Sequence, residues 1–271
     1  MDIDSVFEAG QAYVILSRVQ CIDQIFITNK FDDKKIKVSK FALDELKRLD
    51  NISFNKKPSP WNKKDQNALK IATLNCAGLL PHFRDIKKDS KLLQADIIHL
   101  IETSLPKEAD TSDIYLEGFY GTFINMGRGK GIATFMREDI QIEHEGDIVK
   151  DTLQITKFNI KGMKTMVVYR SSNHSIRDTW KELESILEDD QTLLITGDFN
   201  ICTQKDKSNE ISSNPAKNGF QLMIQDATHI MGGHIDHVYW RDTSDDWQLT
   251  VERFSPYWTD HDALLTTVKR R

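Results

Sequence analysis

Cysteine is scarce in this 271-residue chain, and its three copies, at positions 21, 76 and 202, lie far apart. No two of them have the C-x-x-C spacing that is typical of zinc sites and redox motifs, and three thiols cannot all pair. This spacing argues against a disulfide-stapled secreted domain and against a cysteine-ligated zinc module. We interpret Cys21, Cys76 and Cys202 as reduced thiols of a cytosolic or nuclear protein.

Long hydrophobic runs are also missing. The apolar stretches, such as YVIL at 13–16, are far too short to cross a bilayer. The first fifteen residues contain Asp2, Asp4 and Glu8 but no lysine or arginine, which is not the composition of a secretory signal. We therefore expect an intracellular, nuclear protein with no membrane partner.

An excess of positive charge is absent as well, since 36 Lys+Arg stand against 41 Asp+Glu, a net charge of −5. Residues 1–67 hold 12 basic against 10 acidic side chains, and residues 68–271 hold 24 against 31. This balance argues weakly against broad, non-specific binding of nucleic acid. An acidic domain can still act on DNA if some of its carboxylates form a cluster that a metal ion neutralises.

A linker is predicted at residues 55–67, NKKPSPWNKKDQN, where prolines, lysine pairs and asparagines replace any periodic apolar pattern. The segment before it, 1–54, buries little apolar surface, because its pattern predicts only two short strands and one amphipathic helix. These elements are expected at 12–17, 24–28 and 39–49.

The main domain, 68–271, has many short apolar strands and few helices. That pattern is typical of a layered α/β protein, with two sheets packed face to face and helices outside. Helices are predicted at about 85–94, 177–189 and 216–226. The predicted strands are 69–75, 96–102, 131–136, 153–160, 164–170, 192–198, 234–240 and 263–269.

Polar residues capable of chemistry follow four of these strands at the point where each strand ends: Asn75, Glu102, Tyr169 and Asp198. A carboxylate at the end of a buried strand is costly unless it is paired or binds a cation. Strand ends that converge at one rim would place these side chains in a single polar site on a rigid frame.

Each signal has an ordinary structural alternative when it is taken alone. GDFN at 197–200 is compatible with an Asx turn, because Asp and Asn bond their own backbone in turns. Glu102 is compatible with a strand-end charge that faces water, and His261 with a solvated imidazole beside carboxylates.

Two further motifs have similar alternatives. Asp236 is compatible with a capping carboxylate whose hydrogen-bond partners are His234 and His237. The stretch GRGKG at 127–131 lacks the ordered pattern of a phosphate loop, and we interpret it as a hairpin turn.

Taken together, six motifs in a fixed order resemble the endonuclease/exonuclease/phosphatase superfamily, over about residues 68–269. Members of that superfamily include pancreatic DNase, apurinic-site repair endonucleases and the endonucleases of non-LTR retrotransposons. The resemblance implies a four-layered, DNase-like α/β sandwich. The motifs are LNCAG (74–78), ADIIHLIET (95–103), VVYRSSN (167–173), TGDFN (196–200), HIDHV (234–238) and TDHD (259–262).

The resemblance implies a divalent metal site. Glu102 matches the metal-binding glutamate, Asp260 matches a second carboxylate near the metal, and Asn75 matches the asparagine that helps fix the site. These oxygen ligands suit Mg²⁺, which binds few carboxylates and keeps several waters. Mn²⁺ is the expected substitute.

The resemblance also implies catalytic roles. Asp198 would orient and deprotonate the attacking water, and Asn200 would help to place it. His261 matches the histidine beside the scissile phosphate, and Asp236 matches the carboxylate that holds this imidazole. Tyr169 matches the tyrosine that lies on the phosphate side of the site. Attack by water would leave a 5′-phosphate and a 3′-hydroxyl.

The chain departs from the pattern of the repair endonucleases at two places. Ala77 stands where those enzymes have an aspartate two residues after the asparagine, so one contact of the metal shell is missing. Ser171 and Ser172 replace the prolines expected after VYR, which leaves the role of Asn173 open.

The stretch GQAYVILSRV (10–19), with IFITNKFDDKKIKV (25–38), resembles the C-terminal end of Pif-family DNA helicases. In those helicases the arginine that matches Arg18 reaches the γ-phosphate of ATP. No G-x-x-x-x-G-K-[ST] phosphate loop occurs in the chain, so we expect no productive ATP binding from this chain alone. A helicase remnant before such a nuclease resembles the replicase/helicase proteins of Helentron-type transposons.

The sequence therefore predicts a Mg²⁺-dependent DNA endonuclease. Two alternatives stay open. One is a phosphatase or phosphodiesterase of the same superfamily that acts on a small molecule, and the other is an inert relic that binds nucleic acid without cutting it.

Overall fold

In the computed structural model the chain divides into two units, Met1–Asn62 and Lys63–Arg271. The structure describes Lys40 and residues 68–187, 191–203, 210–241 and 247–270. Apart from Lys40, the predicted helicase remnant at 1–54 and the linker at 55–67 lie outside the described residues, so both stay predictions. Among the described residues, no helix is long and apolar enough to span a bilayer.

The main domain contains two six-stranded sheets and three α-helices within the described ranges. A short 3-10 turn also lies at Leu92–Gln94. In chain order the elements are β1 (Ala68–Asn75), α1 (Leu79–Ile86), β2 (Ile97–Ile101), β3 (Phe119–Ile124), β4 (Ile132–Arg137), β5 (Ile142–Val149), β6 (Leu153–Ile160), β7 (Met163–Arg170), α2 (Ile176–Leu187), β8 (Thr192–Asp198), α3 (Glu210–Lys217), β9 (Gln221–Leu222), β10 (Asp236–Trp240), β11 (Trp247–Phe254) and β12 (Ala263–Arg270).

The strand order is β11-β12-β1-β2-β4-β3 in one sheet and β5-β6-β7-β8-β10-β9 in the other. Each sheet has one parallel pair near its centre, β1 with β2 and β7 with β8, and its other pairs are antiparallel. In the second sheet the register sets Asp198 beside Tyr169 on one side and beside Asp236 on the other. The strand order therefore gathers the polar strand ends of this sheet at one edge.

The inner faces of the sheets form an apolar core, in which Ile71 and Ile97 of the first sheet belong to the same cluster as Val167 and Leu194 of the second. Helices cover the outer faces. Helix α1 packs on the first sheet, and α2 packs on the second through Trp180 and its neighbours on the same face. The predicted four-layered α/β sandwich is confirmed.

The structure differs from the sequence prediction mainly at sheet edges and helix ends. Strands β5 and β11, which are edge strands with one exposed face, were not predicted. Strand β5 has few apolar residues, whereas β11 alternates Trp247, Leu249 and Val251 with polar residues, a strand pattern that was missed. Strands β3 and β9, at the opposite edges of the two sheets, were missed as well. The predicted helix at 85–94 is instead α1 with the separate 3-10 turn, and the one at 216–226 ends at Lys217, before the positive-φ Gly219.

The stretch at 127–131 lies in the loop that joins the antiparallel strands β3 and β4, so its interpretation as a hairpin turn is confirmed. Gly131, at its end, has a φ of +98°, and a Cβ there would lie 2.5 Å from Thr103 Oγ1. Glycine is therefore required where this loop returns beside the residues that follow β2.

Gly197, one residue before Asp198, lies against the backbone of β7. Its φ is +148°, and a Cβ there would lie 1.9 Å from Val168 O. We expect Gly197→Ala to lower the free energy of unfolding by at least about 4 kcal/mol, because the methyl group cannot fit without separating β7 from β8. Urea unfolding followed by circular dichroism measures this loss.

Gly162, in the β6–β7 turn, is the matched control for this prediction. Its φ is also positive, at +89°, but a Cβ there would meet no atom within 4 Å. Gly162→Ala should therefore cost only the left-handed backbone penalty of about 1–2 kcal/mol. Equal losses in the two variants would contradict the close approach at Gly197.

Candidate active site

Asp198, at the end of β8, is held on both carboxylate oxygens. Asn75 Nδ2, from the end of β1 in the other sheet, donates to Oδ2 at 2.8 Å, and the backbone N–H of Asn200 donates to Oδ1 at 2.8 Å. The Asx-type bond expected of GDFN is present, but the same carboxylate also bonds across the two sheets. Asp198 is fully buried, so these contacts fix its direction.

The amide groups around Asp198 are themselves fixed by the backbone. Ala77 N–H donates to Asn75 Oδ1 at 2.9 Å, and Asn200 Nδ2 donates to Arg170 O at 2.9 Å. These bonds determine which end of each amide faces Asp198. Asn75 therefore presents its N–H₂ group to the carboxylate, as a donor.

Burial raises the pKa of Asp198 well above its ordinary range, and the negative charge of Asp236 adds to the rise. His261 and the hydrogen bonds from Asn75 and Asn200 act in the opposite direction. A carboxylate with a raised pKa is a stronger base than a solvated aspartate. Asp198 is thus suited to accepting a proton.

Glu102 follows β2 with a φ of +54°, and its side chain is half-buried. Burial raises the pKa of Glu102, while hydrogen bonding to Asn75 and the charge of His261 lower it. The charge of Asp260 raises it again, which places these two carboxylates near each other. Glu102 is therefore part of a polar cluster and is not a solvated strand-end charge.

His261 and Asp236 form a buried pair, with His261 Nδ1 2.9 Å from Asp236 Oδ2. Burial alone would lower the pKa of His261, but the hydrogen bond to Asp236 and the charges of Asp236, Asp198 and Asp260 raise it to about 9. The imidazole is therefore protonated at neutral pH and donates from Nδ1. It is not a solvated imidazole.

The two histidines near Asp236 in the sequence have other partners. His234 Nδ1 lies 2.6 Å from Thr203 Oγ1, and His237 Nδ1 lies 2.9 Å from the Tyr239 hydroxyl. Burial lowers the pKa of His237 to about 3, so its ring is neutral. The alternative in which His234 and His237 are the partners of Asp236 is wrong. His237 follows Asp236 directly in β10, where successive side chains point to opposite faces, and His234 lies before the strand beside Thr203.

Tyr169 lies beside Asp198 in the paired strands, and its hydroxyl donates to Gly129 O at 2.7 Å. Burial and the charges of Glu102 and Asp198 raise the pKa of the phenol, so it keeps its proton. The bond to Gly129 ties the β3–β4 loop to the cluster. Arg128, beside Gly129 in that loop, is exposed.

Thr259 and Asp260, which lie before β12, form hydrogen bonds with the end of β1 and with the loop that contains Ile230. Thr259 Oγ1 donates to Asn75 O at 2.9 Å, and Ile230 N–H donates to Asp260 O at 2.9 Å. His229 Nε2 lies 3.2 Å from Asp260 Oδ2. Sequence reasoning missed His229 and gave Thr259 no role. The one feature of the sequence that pointed to His229 is its position shortly before the Gly232-Gly233 turn.

The structure brings all eight sequence-predicted site residues to one edge of the sandwich. Each is linked to another member by a hydrogen bond, by strand pairing or by the electrostatic effects given above. The eight are Asn75, Glu102, Tyr169, Asp198, Asn200, Asp236, Asp260 and His261.

The donor set of this cluster is compatible with a metal ion. Glu102, Asp198, Asp236 and Asp260 bring four carboxylates together, and in the described part of the chain no lysine or arginine forms an ion pair with any of them. Ligand atoms of Asp198 and Asp236 lie within 4.8 Å of each other, and so do those of His229 and Asp260. His261 belongs to both groups, but its protonated ring offers no lone pair to a metal. Carboxylate and amide oxygens are ligands that hard divalent cations accept.

Sequence comparison matches residues 72–261 to the model of the Endonuclease/Exonuclease/phosphatase family. A search of curated proteins gives no match.

Solved structures share the fold at low sequence identity. The endonuclease domain of TRAS1, a telomere-specific non-LTR retrotransposon, matches with a TM-score of 0.58 and 10% identity, over 75% of this chain and 99% of that domain. The human Nocturnin catalytic domain gives 0.56 and 14%, over 76% and 94%. An AP endonuclease from Archaeoglobus fulgidus gives 0.54 and 15%, over 73% and 98%.

Proposed function

The chain belongs to the Endonuclease/Exonuclease/phosphatase family, and from that premise we propose that it is a Mg²⁺-dependent endonuclease that hydrolyses phosphodiester bonds of DNA. The observation that carries this proposal is the cluster in which Asn75 and Asn200 hold the Asp198 carboxylate beside the Asp236–His261 pair. Water attack on a phosphodiester requires a base, a cationic group and a site for a metal ion. This edge of the sandwich has a base, a protonated imidazole and further carboxylates.

Glu102 and Asp260 would hold the metal ion, and Asn75, whose Oδ1 accepts from Ala77 N–H, would help to fix the site around it. When bound, a divalent cation supplies positive charge that neutralises the phosphate oxygens and favours the ionised form of a bound water. Mg²⁺ accepts such oxygen ligands and keeps several waters, and Mn²⁺ would substitute for it. The half-buried Glu102 and the neighbouring charge of Asp260 support this assignment.

Asp198 would accept the proton of the attacking water. Its raised pKa supports this role, because a stronger base removes a proton more readily near neutral pH. The bonds from Asn75 Nδ2 and the Asn200 backbone keep both oxygens in place while the proton moves. Asn200 would also help to place the water and the phosphate.

His261 would stand beside the scissile phosphate and stabilise the charge that develops on its oxygens. Asp236 keeps the ring protonated and fixes its orientation through Nδ1, which leaves Nε2 as the donor to the phosphate. Tyr169, which keeps its proton, would contribute a hydroxyl on the same side.

DNA is the proposed substrate for two reasons. Nucleases are among the proteins that share the fold, including an AP endonuclease and the endonuclease domain of a retrotransposon. The exposed Arg128 lies in a loop that Tyr169 ties to the site, where a cation can contact a phosphate of a polymeric substrate. A nuclear location and an origin in a transposon-type helicase fusion belong to this proposal, and they rest on the resemblance of residues 10–19 and 25–38.

Supercoiled plasmid tests the proposal. We expect the full-length chain with Mg²⁺ to convert it to the nicked circle, and EDTA to abolish the reaction. Asp198→Ala and His261→Ala controls should be inactive. Hydrolysis of a small phosphodiester without nicking would favour a small-molecule phosphodiesterase, and inactivity on both substrates by a folded chain would leave an inert relic.

A further inference from the structure

Residues Thr228–Gly233 form a tight turn that packs on the segment carrying Asp260 and His261. Within the turn, Thr228 N and His229 N both donate to Gly233 O, at 2.9 and 3.0 Å. Asp262 N donates to Thr228 O at 2.7 Å, so the turn and the 260–262 segment pair like two short strands. His229 therefore has a fixed position relative to the site.

The Asp260 carboxylate is much more exposed than that of Asp236, so its position depends more on a neighbouring side chain. Its side chain is 52% exposed, whereas that of Asp236 is 3% exposed. Among the described residues, the one side chain recorded against its carboxylate is His229, at 3.2 Å between Nε2 and Oδ2. A half-exposed carboxylate without a partner would sample several rotamers and hold a cation poorly.

The tautomer of His229 follows from its second contact. Met231 N–H donates to His229 Nδ1 at 3.1 Å, so Nδ1 carries no proton. In an imidazole that accepts at Nδ1, the proton lies on Nε2. Nε2 thus carries the proton and faces Asp260 Oδ2 at 3.2 Å, so it has no free lone pair for a metal.

We propose that His229 is a positioning residue that holds the Asp260 carboxylate for the metal ion and is not a metal ligand itself. The proposal rests on the proposed function, because Asp260 matters in this way only if it binds the metal. Ligand atoms of His229, Asp260 and His261 lie within 4.8 Å of one another, which also suits direct ligation. Direct ligation by Nε2, however, would require the ring to give up its bond from Met231.

Three variants separate these roles. His229→Phe keeps an aromatic ring against His261, whose ring lies 4.7 Å away, but removes both nitrogens. His229→Gln keeps an N–H donor at about the place of Nε2. His229→Asn is also an amide, but it is one methylene too short to reach Asp260, and it replaces the Phe variant if that one does not fold.

The affinity of the full-length chain for Mn²⁺, measured by calorimetry without DNA, is the first readout. We expect His229→Phe and His229→Asn to weaken binding about 10- to 100-fold, the usual effect of losing a partner of a ligand. His229→Gln should stay within about threefold of the parent. Unchanged affinity in the Phe or Asn variant, or no rescue by Gln, would overturn the proposal.

Electron spin-echo spectroscopy of bound Mn²⁺ is the second readout. A positioning role leaves any ¹⁴N coupling of the parent unchanged in His229→Phe, whereas loss of a ¹⁴N coupling would show direct ligation and overturn the proposal. Glu102→Gln distinguishes a failure of the His229 proposal from a failure of the proposed metal site. If the parent binds Mn²⁺ and Glu102→Gln does not, while His229→Phe equals the parent, only this inference fails. If the parent binds no Mn²⁺, both the proposed metal site and the role of His229 are wrong.

Discussion

Asp198→Asn is expected to lower the rate of plasmid nicking about 1,000-fold or more, because it removes the proton acceptor and leaves the shape of the side chain. The variant should not lose stability. Burial raises the pKa of Asp198, so its ionised form is unfavourable in the folded chain above the ordinary aspartate pKa. A neutral amide avoids that cost and also the repulsion from Asp236. The one unfavourable change is that an N–H₂ group in place of Oδ2 cannot accept the hydrogen bond from Asn75 Nδ2.

The measurement pairs initial nicking rates with urea unfolding at the same pH. Asp147→Asn, which changes a carboxylate bonded to His144 outside the proposed site, is the matched control and should keep the parental rate. A rate for Asp198→Asn within tenfold of the parent would show that another group accepts the proton.

Asp236→Asn and His261→Gln are each expected to lower the nicking rate about 100- to 1,000-fold, and the double variant should be no slower than the worse single one. The physical reason is that the two side chains act as one unit. Asp236 holds the imidazole through Nδ1 at 2.9 Å and raises the pKa of His261 toward about 9. Without the carboxylate, the ring loses both its orientation and its charge.

His144 and Asp147 provide a comparable pair outside the proposed site, with His144 Nε2 2.8 Å from Asp147 Oδ1 and both side chains partly exposed. His144→Gln combined with Asp147→Asn should leave the rate unchanged. Multiplicative losses in the Asp236→Asn, His261→Gln double variant would contradict a shared role and indicate two independent contributions.

Much of the fold was predictable, because the buried strands are short and nearly continuous in apolar residues. Strand β8 was predicted with the bounds that it has, and β7 within one residue. Edge strands were not predictable in this way. Strand β5, IEHEGDIV, is largely exposed and is fixed by its pairing with β6 and by the packing of Ile142 and Ile148 against the core.

In the candidate site as well, residues marked by a local sequence pattern were predicted, and a residue whose role depends on long-range contacts was not. Asn75, Glu102 and Asp198 were found because each follows an apolar strand that ends in a polar residue. His229 was not found, because the residues around it, THIMGGH, look like an ordinary surface turn. Its role depends on a turn that pairs with residues 260–262, far along the chain.

The sequence by itself determined the order of the strands along the chain and which polar residues stand at their ends, since both follow from local hydrophobic pattern and motif order. The family resemblance implied that Asp236 holds His261, and the tertiary structure decided for this pair against His234 and His237. Only the tertiary structure decided that Asn75 donates to Asp198 across two sheets. Strand register and the packing of one sheet on the other set those distances, and no local pattern encodes either.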